Sequence, residues 1–123
     1  MLRVDEHTVW GGLEDDFHHF EVRLCHDDDR RVTQCLLDAR RWPWTTCPDA
    51  GANLARLVGM ELSDRCTAVA EVTDPRWQCT HQFDLAGLCV SHAARGDHRR
   101  EYEVELTPTA DGFTPTLWRD GFR

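Results

Sequence analysis

Residues 77–96 read WQCTHQFDLAGLCVSHAARG. From Thr80 to Ala94 the apolar residues Phe83, Leu85, Ala86, Leu88, Cys89, Val90 and Ala93 recur at helical spacing and occupy most of the helix circumference. A helix that is apolar on most sides has to be covered by other elements. Gly96 supplies the stop, because glycine enters the left-handed conformation that closes a helix at little cost. The spacing predicts a buried helix, and the rest of the chain must supply layers around it.

Upstream, Phe20, Val22 and Leu24 alternate with Glu21, Arg23 and Cys25, the period of a strand with one apolar face. Asp27-Asp28-Asp29 breaks that period with turn-forming residues, and a second strand follows from Val32 to Ala39, with Val32, Leu36 and Leu37 as core candidates. The pair reads as an antiparallel hairpin. The three Asp lack the alternating spacing and the distal Glu of a calcium loop, so they read as a solvated turn. In RRWPWTTCPDAGANLARLVGMEL, residues 40–62, Thr46 or Cys47 stands at an N-cap and Pro48 at the first helical position. A second helix is expected over 48–58, with Gly59 as its stop. Residues 1–15 show no clear period and read as an irregular lead-in with a short strand around Val9. Residues 61–76 fit a helix and a strand equally. The tail alternates again, Tyr102 to Leu106 and Phe113 to Trp118, about a turn at Ala110-Asp111-Gly112. This order predicts an α+β fold in one domain, residues 1–123: an antiparallel sheet of hairpins packed against two main helices.

Composition narrows the function. A net charge of −8 with scattered Arg is the wrong electrostatic footprint for nucleic acid. No apolar run reaches the ~18–20 residues of a membrane span. The polar, acidic N-terminus lacks the form of a secretory signal and points to the cytoplasm. Six Cys are spread through the chain without a C-x-x-C pair, which sets aside zinc-ribbon and thioredoxin readings and leaves mostly buried thiols.

Two Cys stand apart. Cys47 and Cys79 each lie at the start of an expected helix, where unpaired N–H groups and the dipole favour an anion or a thiolate. If the two N-termini converge, Cys47, Cys79 and His81 face one pocket, bordered by Trp44, Trp77, His19 and Asp84. That set suits a nucleophilic Cys with His81 as base, acting on an anionic or thioester substrate. It also suits zinc held by Cys47, Cys79 and His81. The bland alternative is packed thiols beside helix caps. His18 and His19 point to opposite faces of one strand, so one of them can complete the site. Asp84 either orients His81 or is an exposed first-turn Asp. Cys89 and His92 share a helix face, although His92 sits where the helix dipole favours His anyway. Five Trp is a high count for so small a core, and some are expected at a pocket or an interface.

The stretches DDFHHFEVRLCHDDDRRV, RRWPWTTCPDAGANLARLVGMEL and QCTHQFDLAGLCVSHAARG together resemble the bacterial "domain of unknown function 2889" family, over roughly Asp16 to Gly96. The resemblance implies no particular activity. It also implies that longer members continue beyond an R-D-G turn into a further strand, whereas this sequence ends two residues after Asp120-Gly121. The edge after Trp118 is therefore expected to be completed by another chain, a second copy or a separate subunit, with Trp118 and Tyr102 at the interface. The functional expectation is a protein of small-molecule metabolism, a small enzyme or enzyme subunit. A non-catalytic interaction subunit and a zinc-site protein are the alternatives.

Overall fold

The computed structural model describes residues 1–123. The chain runs β1 (Leu2–Asp5), β2 (Thr8–Glu14), β3 (His19–His26), β4 (Val32–Arg41), α1 (Cys47–Ala50), three 3-10 turns (Gly51–Leu57, Cys66–Glu71, Pro75–Trp77), α2 (Thr80–Arg95), β5 (Arg99–Arg100), β6 (Tyr102–Thr109) and β7 (Gly112–Arg119). The first five strands form one antiparallel sheet ordered β4–β3–β2–β1–β5, and β6–β7 is a separate hairpin. The architecture is α+β, as the pattern predicts. No helix is long and apolar enough to cross a membrane.

α2 lies between two layers, which is why its sequence is apolar on most sides. On one side it meets β2 and β3, on the other the 3-10 turn at Cys66–Glu71. The sheet's inner face follows from register: Leu13 opposes Phe20, Gly11 opposes Val22 and Val9 opposes Leu24. Phe20, Val22, Leu24 and Val9 are fully buried. Each such side chain contributes about 1.5–3 kcal/mol through burial. Leu36 departs from the expectation. It projects from the outer face and is 44% exposed, while Leu37 packs against the core.

Residues 1–15 form a regular hairpin, not a lead-in. The reason for the misreading is Gly11, which occupies an inward position where apolar alternation demands a large residue. A Cβ there would sit 2.6 Å from the Cys89 sulfur, so glycine is what lets α2 approach the strand. The helix expected over 48–58 is one α turn followed by a 3-10 turn. Gly51 stands there against the Leu37 side chain, at a place where a Cβ would collide with it. Residues 61–76 are neither α-helix nor strand. They are two 3-10 turns, with Ala68 and Val69 buried.

The expected stops are present. Gly59 and Gly96 have φ of 89° and 71°, in the left-handed region. The Asp120-Gly121 turn also has both φ values positive, 52° and 81°, and Arg119 and Phe122 exchange a pair of backbone hydrogen bonds across it. The turn folds back on the hairpin's base: the Glu101 amide donates to the Asp120 carboxylate at 2.8 Å. That bond outweighs partial burial and, with the Arg100 guanidinium, holds Asp120 below the usual carboxylate range.

Candidate functional site

The β2–β3 turn holds two of the three side chains of a histidine–carboxylate cluster, Asp15 and His18. The Asp15 carboxylate accepts the backbone amides of Phe17 at 2.8 Å and His18 at 2.7 Å. The His18 Nδ1 lies 2.9 Å from both of its oxygens. Burial pushes the Asp15 carboxyl up, but the Phe17 amide, the His18 ring and the His18 amide outweigh it, so Asp15 stays below its ordinary value. Arg41, at the end of β4, fastens the turn by donating to the Asp15 carbonyl at 2.6 Å and to Glu14 at 3.1 Å.

The first turn of α2 meets this structure. The His81 ring stacks on the His18 ring with centroids 4.1 Å apart. Cys79 is the N-cap residue of α2, and its thiol sits 3.9 Å from His81 Nδ1. One ligand-type atom from each of Asp15, His18 and His81 lies within 4.8 Å of the other two. The His18 side chain is only 13% exposed, while Asp15 is 45% exposed. The cluster thus has a half-buried imidazole pair and a carboxylate open to solvent.

Asp15 also lines a cleft of about 640 Å³ between the sheet, α2 and the base of the β6–β7 hairpin. Its floor is Leu2, Leu13, Leu85 and Leu88, and its rim carries Glu14, Asp15, Glu21, Glu101 and His19. His19 Nδ1 is 3.8 Å from Glu14 and its Nε2 is 3.9 Å from Glu21.

The residues expected to form the pocket are distributed differently. The two helix starts do meet, because the Gln82 side chain donates to the Cys47 carbonyl at 2.8 Å. Cys47 itself is buried in the core, and neither it nor Cys79 belongs to the three-residue cluster around His81. Trp44 and Trp77 are 72% and 73% exposed and do not line the cleft. Asp84 is exposed, and the carboxylate that orients an imidazole here is Asp15 on His18. Cys89 and His92 are buried structural groups. Burial pushes the Cys89 thiol up, and it pulls His92 down against the opposing Asp97 carboxylate 3.0 Å away. Tyr102 opposes Arg119 and Trp118 opposes Glu103, so Tyr102 and Trp118 project from opposite faces of their hairpin and cannot share one flat contact.

Asp15 was missed as a candidate. The signal for it was the Asp-x-x-His spacing of Asp15 and His18, which closes a short turn through the carboxylate.

Fold and site define a small α+β domain with an imidazole–carboxylate cluster at the rim of a cleft. The chain belongs to the family described as "Protein of unknown function (DUF2889)", whose model matches residues 6–95, from the end of β1 to the last residue of α2. No curated protein and no solved structure matches it.

Proposed function

We propose that this chain is a small enzyme, or a subunit of one, that takes a small molecule into the cleft beside Asp15. The observation that carries the reading is the shared position of Asp15, which lines the cleft and holds His18 against His81. A carboxylate that orients an imidazole is the arrangement general acid–base chemistry uses. The rim supports one substrate class. Four carboxylates stand there beside His19, above a floor of leucines, and the three guanidinium groups that reach them, Arg41 on Glu14, Arg40 on Glu21 and Arg99 on Glu101, do not themselves line the cleft. An apolar body with a cationic or hydrogen-bond-donating head fits this lining, in place of the anionic or thioester ligand that helix N-termini suggested. Hexylammonium is expected to shift the methyl NMR signals of Leu13, Leu85 and Leu88, and hexanoate is expected to leave them unmoved. Equal shifts with both, or none with either, would remove the substrate assignment.

A second observation favours self-association. On one face of the β6–β7 hairpin stand Val104, Leu106 and Pro108, opposite Leu117, Pro115 and Phe113. Val104, Leu106, Phe113 and Leu117 are 62%, 60%, 67% and 54% exposed. A face of this make-up falls at the upper end of the roughly 300–600 Å² that the largest apolar patch on a monomer reaches. Two copies stacked face to face would bury about 1,200 Å² in total, the lower bound for a stable interface. Stacked antiparallel, Asp111 at the tip of one hairpin would lie over Arg119 at the base of the other. The occupant of this face is accordingly a second copy of the chain. Light scattering should report a dimer, and Leu106→Glu should return it to monomer with its far-UV circular dichroism unchanged. A wild-type monomer at tens of micromolar would end this reading.

A further inference from the structure

We propose that Asp15, His18 and His81 hold a divalent metal ion of the zinc class at the cleft rim, an assignment that rests on the reading of the cleft for its use but not for its ligands. Three residues from two distant segments converge here, with ligand-type atoms within 4.8 Å of one another. Ligands about 2.1 Å from a tetrahedral zinc ion lie about 3.4 Å apart, so a small closure of the group suffices. Two imidazoles and one carboxylate select a borderline ion such as zinc over calcium or magnesium, which prefer all-oxygen shells.

The donors are prepared for this. His18 and His81 stack without a hydrogen bond between them, and three of the four bonds to Asp15 fall on Oδ1, leaving Oδ2 with His18 Nδ1 alone, where an ion would take the place of the shared proton. Glu14 lies next to Asp15, and the only guanidinium bonded to the turn, Arg41, is taken up by Glu14 and two backbone carbonyls. Three protein ligands leave a coordination position open, the mark of a catalytic and not a structural zinc site. Asp15 also lines the cleft, so that position falls at the cleft rim. An ion there would lower the pKa of a bound water or polarise a substrate oxygen, and the Glu14, Glu21 and Glu101 carboxylates, which are not among its ligands, stay at the rim for a cationic or hydrogen-bond-donating head. Cys79, 3.9 Å from His81 Nδ1, remains outside the ligand set.

The test is a zinc titration of the full chain, freed of metal by chelator, against a chromophoric competitor. One equivalent is expected to bind. His18→Ala and His81→Ala should each weaken binding by more than the ~10–100-fold that loss of an outer-shell partner costs. His7→Ala, at a separate pair with Asp28, should leave it unchanged. Circular dichroism checks that each variant is folded, and Asp15→Asn gives a third ligand variant of near-equal volume. Cobalt substitution should give visible bands without a thiolate charge-transfer band. Absence of stoichiometric binding, or affinity indifferent to all three ligand variants, would overturn the site, and a thiolate band would overturn its ligand set and open position. Zinc failing while hexylammonium still binds removes the metal and leaves the cleft reading standing. Zinc binding without hexylammonium does the reverse.

Discussion

Phe20→Ala is expected to lower the stability of the fold by about 3–5 kcal/mol, the cost of emptying a large aromatic site in a packed core. Phe20 is 0% exposed. It sits in β3, between Leu13 on β2 and Ala39 on β4, so three strands close around it. Its ring also lies 5.5 Å from that of His18, which makes it part of the support under the imidazole pair. Against a total stability of about 5–15 kcal/mol, the loss brings the chain close to unfolding at ordinary temperature. Urea titration would show the midpoint falling with an unchanged slope. Phe17→Ala serves as the comparison. That residue is 67% exposed, and its removal should stay within about 0.5 kcal/mol. A Phe20→Ala loss below about 1 kcal/mol would mean that the inner face of the sheet is not the core described here.

What was legible in the sequence follows the strength of local signals. α2 has an unbroken apolar period and a glycine stop, so its type and its end were both readable. β3 alternates cleanly for the same reason. Elements interrupted by a glycine that admits a neighbour were not readable. Gly11 replaces a large inward residue in β2 because Cys89 fills its space, and Gly51 weakens the second helix because Leu37 lies against it. Both glycines answer to a tertiary contact that no local pattern reports. The candidate site divides in the same way. Cys79 and His81 were visible as residues at a helix start, two positions apart. Of the neighbours of His81, His18 was one of two adjacent histidines that could complete the site, whereas Asp15 carried no such signal; both lie more than sixty residues away in sequence, brought in by the packing of α2 on the sheet. Tryptophan was the poorest guide. Trp44 and Trp77 lie mostly in solvent, and Trp10 takes the Arg3 guanidinium on its face, 4.4 Å from the ring centre.

Gly87→Ala is expected to destabilise the protein by about 1–3 kcal/mol, the cost of forcing a methyl group into a filled space. Helix propensity alone argues the other way. In the interior of a free helix, alanine is better than glycine by about 1 kcal/mol. The sign therefore measures whether packing or propensity governs this position. Gly87 lies midway along α2, on the side covered by the 3-10 turn at Cys66–Glu71. A Cβ there would collide with the Cys66 carbonyl oxygen and stand 3.3 Å from Val69 Cγ2. The obstruction is backbone, so no side-chain rotation relieves it. The turn is also held from behind, because the Val69 carbonyl accepts the amides of Val72 and Thr73. The layer can retreat only by giving up its contact with α2, where Ala68 and Val69 are buried. Asp84→Ala, at an exposed position on the same helix, separates the two effects, since it tests a residue change with no layer above it. Its effect should lie within about 0.5 kcal/mol. If Gly87→Ala raised the urea midpoint, the 3-10 turn would not rest on the helix. The apolar character of α2 on its outer side would then need another cover. If the midpoint falls as expected, glycine at this position is what allows a second layer to close on a helix whose sequence requires two.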